Sequence, residues 1–548
     1  MKHIRVLSLL LVMLILASCT AESISGGNVT AIGTGTEQTT KSDVQENGAD
    51  FTKETEEKQE MTEKTTPEKE GLSSEGIAAM MDGLKKAQLA MHSVLIMRHG
   101  EIVAEGYAEP FDKDSLHRMY SVSKSFVGIA IGVLESEGKI SINDTIDKYF
   151  PDYVTEKTDK RIAGTKIVDL LRMASPFRKG STYKGNVDMD WTATFFTAPV
   201  GKEPGTEYLY DTSATHILGV IVERVTGMDF LEYLKQKALL KMGFSENSWC
   251  VKSPEGYAWG GSGVMCTTRD LALFAQLVMR KGEYNGEQLL PRAYTEAATQ
   301  KQIDNSREGN TSYYGQGYGY QIWITEYGFA FLGMGDQLAI CIPEKDLLFV
   351  CTADNQGNST SRRTIFDLFE THILANAEDA PLPENSVGVE KMEKALADME
   401  IPHQLGLSST DKADEINGVT FTCQDKNAKI SSFCLDFLET GEGVFTYVTP
   451  RGEKQLRFGI RRNVMGVLDE PQYSGEAINH PVGRGYRSLC SAAWETPTIL
   501  VIKVQVIDDY FGNMTLTFDF SSGVKLTGKK TAEWFLDEYV MNAVSYKR

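Results

Sequence analysis

Between Met119 and Leu134 the chain is committed to a buried helix with chemistry at its start. Met119-Tyr120-Ser121-Val122-Ser123-Lys124-Ser125-Phe126 runs straight into the apolar stretch Val127-Gly128-Ile129-Ala130-Ile131-Gly132-Val133-Leu134. The pattern predicts a helix beginning near Ser121, with two glycines that lower helix propensity but let another backbone approach closely. Residues three apart share a helix face, so Ser121 and Lys124 point the same way at the positive N-terminal end. A serine hydroxyl becomes nucleophilic when a base takes its proton. A lysine serves once burial or a neighbouring cation lowers its pKa, and a helix-start N–H can steady an oxyanion.

Ser-x-x-Lys alone is a weak signal. It recurs at Ser136-Lys139, Ser181-Lys184, Ser409-Lys412 and Ser522-Lys525, and none of these opens a buried helix. The bland reading of Ser121 and Lys124 is a capping serine and a solvated lysine. Motifs elsewhere in the chain decide between the two.

Lys2, His3 and Arg5 precede the apolar run Val6–Leu16, too short for a confident membrane span and shaped like a targeting segment. It ends in Leu16-Ala17-Ser18-Cys19, which resembles the lipobox of bacterial lipoproteins. That resemblance implies cleavage before Cys19 and lipidation of its thiol, at the extracytoplasmic face of a bacterial envelope. An ordinary signal peptide cut nearby is the other reading. Residues 20–74 are rich in Thr, Glu, Lys, Ser and Gly and poor in large apolar side chains, the composition of a disordered linker. They hold 12 acidic and 5 basic residues, a net of −7 out of −19 for the chain. The acidity therefore says little about partners of the folded part, although the lack of a basic stripe argues against nucleic acid.

With Cys19 set aside, seven cysteines remain: Cys250, Cys266, Cys341, Cys351, Cys423, Cys434 and Cys490. They make no dense framework and no zinc spacing, so buried thiols are expected and no metal or cofactor. A Cys341–Cys351 disulfide across a turn at Pro343–Asp346 stays open as an alternative.

From residue 75 the chain reads as globular. Gly76–Gln88 is an amphipathic helix, and Ser93–Tyr107 a hairpin turning at His99-Gly100. Ile146–Phe150 and Thr165–Met173 are short helices. Pro204-Gly205-Thr206-Glu207-Tyr208-Leu209-Tyr210-Asp211-Thr212-Ser213 feeds the helix Ile217–Gly227 and offers Tyr210 as a proton carrier, since a phenol beside ammonium groups loses its proton more easily. The bland reading is a packed ring with a wet hydroxyl. Gly260-Gly261-Ser262-Gly263 leads through Thr267 or Thr268, as cap, to Asp270-Leu271 and a helix. Tyr318–Ile324, Ala330–Ile340 and Leu347–Thr352 read as strands, and a backbone N–H near Asp336 or Gln337 is placed to supply a second oxyanion donor.

Taken together, these elements resemble serine beta-lactamases and penicillin-binding proteins, which use Ser-x-x-Lys as nucleophile and lysine. The nearest likeness is to class C-type members: family-VIII esterases, D-aminopeptidase-like enzymes and 6-aminohexanoate-dimer hydrolases. Their Ser-x-[ST]-Lys, Pro-Gly-x-x-[FY]-x-Tyr and Gly-Gly-x-Gly-x-x-[ST]-[ST]-x-Asp-Leu elements match, in order, Ser121–Lys124, Pro204–Tyr210 and Gly260–Leu271. The resemblance implies an α/β (α+β) beta-lactamase/transpeptidase-like fold, an antiparallel sheet flanked by helices with a helical subdomain, over residues 75–378. It implies Ser121 as acylated nucleophile, Lys124 as base and Tyr210 in proton transfer. Thr212, Gly335, Asp336 and Gln337 are weaker candidates for oxyanion and substrate contacts.

Two departures matter. Thr212 stands where the family has Asn, and Met334 where its late strand has Lys or His. The missing cation moves the expectation from beta-lactams and cell-wall peptides toward a less anionic ester or amide. It also keeps alive a protein without turnover that binds or senses an envelope component. After a linker and helix over residues 379–417, including Val387–Met399, residues 418–548 carry short strand-like runs and an expected helix at Ala532–Tyr539. They predict a small antiparallel β-domain resembling the lipocalin-like appendage of such hydrolases, a lid or docking element more than an independent ligand binder.

Overall fold

The computed structural model describes residues 64–184, 189–309, 311–470, 485–509, 511–532 and 541–548. The targeting segment with Cys19, the linker as far as residue 63, and the expected helix at Ala532–Tyr539 after its first residue lie outside them. The linker expected through residue 74 ends earlier. Lys64 bridges to Ile102, and Leu72 is buried. Glu68 is buried too and accepts from the Ser74 backbone at 2.9 Å, so these residues order by burying side chains that composition counted as linker.

The body is built on one antiparallel sheet. Its strands are β1 (Met91–Arg98), β2 (Glu101–Tyr107), β3 (Trp323–Thr325), β4 (Gly328–Leu332), β5 (Leu338–Ile342) and β6 (Leu347–Ala353), in the order β2-β1-β6-β5-β4-β3. Strand alternation divides its side chains between two cores. Val94, Ile96, Ile340 and Phe349 enter one, beneath α1 (Ser74–Lys86) and α5 (Ser361–His372). Leu95, Met97, Ala339 and Val350 enter the other, with α2 (Ser123–Ser136), α3 (Thr212–Thr226) and α4 (Thr268–Met279). The β1–β2 turn has φ 53° at His99 and 95° at Gly100, the left-handed pair a two-residue hairpin favours.

The same alternation excludes the Cys341–Cys351 disulfide. The β5–β6 register sets Leu338 opposite Cys351 and Cys341 opposite Leu348, and the two thiols belong to different cores. All seven described cysteines are free.

α2 is buried from Ser123 to Leu134. Its two glycines act as expected: a Cβ on Gly132 would run into the Tyr294 ring, and one on Gly128 would meet the Tyr320 carbonyl at 2.8 Å. The helix starts later than Ser121, which sits in a 3-10 turn over Tyr120–Val122. The Met119 N–H is held by the Val264 carbonyl at 2.8 Å, and the chain swings into the helix through Tyr120 at φ 48°. The run Ala330–Ile340 is likewise not one strand. β4 and β5 are separated by a turn with φ 74° at Gly335 and 72° at Asp336. Of Tyr318–Ile324, only the last two residues join β3; Gln321, at φ 62°, breaks the run.

The C-terminal domain is a ten-stranded sheet: β7 (Phe421–Thr422), β8 (Ser432–Phe437), β9 (Glu442–Thr449), β10 (Gly452–Ile460), β11 (Val464–Leu468), β12 (Tyr486–Thr496), β13 (Ile499–Ile507), β14 (Phe511–Asp519), β15 (Val524–Ala532) and β16 (Met541–Tyr546). Neighbours run β7-β8-β9-β10-β12-β13-β14-β15-β16, with β11 beside β12. Thr422 and Lys547 exchange backbone hydrogen bonds of 2.7 and 2.9 Å, which nearly closes the sheet into a barrel. Phe433, Phe445, Trp494 and Phe518 fill its interior. α6 (Ser386–Ala397), in the connection, packs against α1.

Candidate active site

The Tyr120–Val122 turn delivers Ser121 to the wall of a cavity of about 470 Å³, while α2 carries Lys124 beneath it. Lys124 is 1% exposed; its Nζ donates to Ser121 Oγ at 3.0 Å and to the Gly261 carbonyl at 2.6 Å. The glycine run thus orients the lysine. Glycine is required there, since a Cβ on Gly261 would run into Thr212 Cγ2. Downstream, Thr267 caps α4 in a reciprocal box with Asp270.

Tyr210 lines the same cavity. Asp211 behind it caps α3, its Oδ1 accepting from the Ser213 and Ser181 backbones at 3.0 and 2.9 Å. The Tyr210 ring lies 5.0 Å from the Lys124 ammonium and stacks on Trp323 at 5.5 Å. Ser121, Lys124 beneath it, and Tyr210, distant in sequence from both, meet at one cavity.

The other candidates divide. Gly335 and Asp336 line the cavity. The Asp336 backbone N–H, however, already donates to the Gly333 carbonyl at 3.3 Å, and its carboxylate accepts from Ser361 Oγ at 2.5 Å and Arg362 Nε at 3.2 Å. Aspartate tolerates left-handed backbone, and α5 pins it there. Gln337 does not face the cavity: its amide nitrogen binds the Met334 and Ala353 carbonyls at 2.9 and 2.6 Å, tying the turn to β6. Thr212 packs on Gly261 instead of joining the cavity wall.

Arg362 is the feature that sequence reading missed. From α5 it reaches the cavity wall, donating to Tyr314 Oη at 2.8 Å and the Gly333 carbonyl at 2.6 Å besides Asp336. A guanidinium thus stands behind the turn that carries Met334, with its charge met by a carboxylate. Tyr313, Tyr314, Trp323 and Leu332 give the cavity an aromatic and apolar side, and residues 355–359 a polar one. Among the described residues, no three His, Cys, Asp or Glu side chains gather to hold a metal.

This constellation has relatives. The Beta-lactamase family profile matches residues 77–368, more than half the chain. The chain belongs to the beta-lactamase family. It is 28% identical over 248 residues to a 6-aminohexanoate-dimer hydrolase of Paenarthrobacter ureafaciens, an alignment covering 42% of this chain and 63% of that protein. Among solved structures it is similar to a family VIII carboxylesterase (TM-score 0.46, 16% identity, 56% of this chain and 98% of that one). It is also similar to the octameric penicillin-binding protein homologue of Pyrococcus abyssi (TM-score 0.44, 15% identity, 83% of this chain and 96% of that one). The family match spans all three motif elements and stops inside α5, before the C-terminal domain.

Proposed function

We propose that this protein is a serine hydrolase of esterase or amidase type that works through an acyl-enzyme on Ser121. The observation that carries the reading is the 3.0 Å contact between Lys124 Nζ and Ser121 Oγ at the wall of a substrate-sized cavity. In the amine form, Lys124 takes the Ser121 proton as Oγ bonds to the substrate carbonyl carbon. The proton passes, with Tyr210 in the relay, to the leaving alcohol or amine as its bond to carbon breaks. Water then attacks the ester on Ser121, giving the acid and restoring the hydroxyl. The helix-start backbone beside Ser121 supports the oxyanion.

The cavity favours an uncharged acyl group. Four aromatic rings line it, and the Arg362 charge is already met by Asp336. Hydrolysis of an amide fits the 6-aminohexanoate-dimer hydrolase likeness, and of an ester the carboxylesterase one. At the Leu16–Cys19 lipobox, we propose a lipid anchor that holds the enzyme on a bacterial membrane; Cys19→Ala is then expected to abolish incorporation of labelled palmitate into the protein.

The deciding experiment treats residues 64–548 with a fluorophosphonate and reads intact mass and labelled peptide, with Ser121→Ala alongside. One adduct on Ser121, absent in the variant, is expected, followed by faster turnover of neutral nitrophenyl esters or anilides than of an anionic cephalosporin. A folded protein that takes no label overturns the hydrolase reading.

A further inference from the structure

β14 of the C-terminal domain runs behind the nucleophile. The Phe511 backbone N–H donates to the Tyr120 hydroxyl at 3.0 Å, and Tyr120 immediately precedes Ser121. Tyr120 is 1% exposed and holds φ 48°, a left-handed backbone that a bulky residue adopts only where its surroundings impose it. The Arg118 guanidinium covers its ring at 4.6 Å.

The Phe511 side chain extends the same grip. It stacks on His117 at 4.1 Å, and His92, 2.8 Å from His117 between ring nitrogens, stacks on Phe111 at 4.3 Å. His117 Nδ1 donates to the Arg118 carbonyl at 3.1 Å, so its Nε2 accepts from His92 Nδ1. Burial pushes the pKa of His117 down to about 3 and that of His92 well below its usual value, which keeps both rings neutral. His117 lies four residues before Ser121, on the two-residue strand His117–Arg118 that leads to it.

A second strip of contacts holds the polar side of the cavity. Gln356 Nε2 donates to the Phe511 carbonyl at 3.2 Å, and Asn513 Nδ2 to Asp354 Oδ2 at 3.2 Å. A Cβ on Gly357 would meet Thr531 Cγ2 at 2.9 Å. The nucleophile turn and the loop lining the opposite side are thus hung on Phe511 and Asn513, two residues apart on one strand.

We infer that β14 is a working part of the active site, with Tyr120 a positioning residue that transmits the placement of Phe511 to Ser121, and Asn513 a positioning residue for the substrate-side loop. The inference rests on the hydrolase reading. A strand that only joined two domains would have no reason to meet the body at the one strained residue beside the nucleophile and at the cavity loop. Removing the Tyr120 hydroxyl frees that turn from β14, and a displacement of a fraction of an ångström at a nucleophile slows acylation.

The test uses residues 64–548 and compares Tyr120→Phe, Asn513→Leu and Gln505→Leu with wild type, all assayed well below their melting midpoints. Gln505 Nε2 bonds the Pro402 carbonyl at 3.0 Å; it pairs with Asn513 across β13 and β14 but does not line the cavity. Tyr120→Phe is expected to lower kcat and the fluorophosphonate labelling rate about tenfold with KM unchanged. Asn513→Leu is expected to raise KM about threefold or more with kcat within about twofold. Gln505→Leu lowers the melting midpoint and leaves both constants alone. If wild type is labelled and Tyr120→Phe is labelled at the same rate, the inference is overturned while the hydrolase reading stands. An unlabelled wild type overturns both, and equal rate losses in all three variants reduce the strand to a general stabiliser.

Discussion

The two sheets of this protein solve the burial problem in opposite ways. The body sheet is covered on both faces by helices, and every residue of β1, β5 and β6 is buried. The C-terminal sheet curls on itself, so that β8 alternates buried and half-buried positions and one face makes its own core. A doubly covered sheet leaves its chemistry to segments that emerge at its edges: the Ser121 turn, the Tyr210 loop and the β4–β5 turn all meet at one cavity. A nearly closed sheet has an outer face and strand ends to offer a neighbour, and here β14 offers them to the Ser121 turn.

The sharpest way to break this comparison is to empty one core and watch the other. Trp494→Ala inside the C-terminal barrel is expected to cost about 3–5 kcal/mol. If the domains are as coupled as the β14 contacts require, the ester hydrolysis proposed above melts with the barrel and not with the body, read by parallel activity and circular-dichroism melts. Next in size is Asp354, at the seam. Burial raises its pKa to about 7, and Lys503 is the nearby cation. A raised carboxyl pKa gives stability that is full below the unfolded value near 4 and is lost as pH climbs through 7, by roughly 3–4 kcal/mol. Asp354→Asn, which keeps the neutral shape, is expected to flatten that fall in urea titrations at pH 5 and 8.

The histidine pair works the other way. With folded pKa values below the unfolded 6.5, its contribution is full above that pH and declines as pH falls. Without the carboxyl's fall, the Asp354→Asn variant itself should show stability that rises with pH from 4 to 7, the slope of the histidine pair. In the body, Gly132→Ala forces a methyl against the Tyr294 ring and is expected to cost about 1–3 kcal/mol, with the barrel transition unmoved. The smallest effect is that of reductant: because Cys341 and Cys351 face different cores, dithiothreitol should leave the melting midpoint where it was.

Much of this was legible in the chain itself. The β1–β2 hairpin, α2, α3 and α4 and the strand β6 lie where periodicity and turn residues put them, and residues 418–548 form the β-domain that their short runs predict. The errors fall where one residue with left-handed backbone redirects the chain, at Tyr120, Gln321 and Asp336. Glycine and, less often, aspartate or asparagine advertise that conformation, so Gly335-Asp336 marks the β4–β5 turn in the sequence, whereas Tyr120 and Gln321 carry no such signal. The linker boundary failed for another reason: Glu68 and Leu72 are buried by partners on the body that a local composition window does not contain.

Ser121 and Lys124 could be paired from the sequence because one helical turn separates them, and that distance is set by backbone geometry alone. Tyr210 and Gly261 could be matched as motifs, yet only the fold brings the Gly261 carbonyl to the Lys124 ammonium. Arg362, the aromatic wall and the Phe511 contact with Tyr120 were beyond any reading of spacing. They come from segments roughly two hundred to four hundred residues from Ser121, and nothing local records which way a sheet will turn its edge. Local geometry determined which residues could do chemistry; tertiary packing decided what surrounds them and what holds them still.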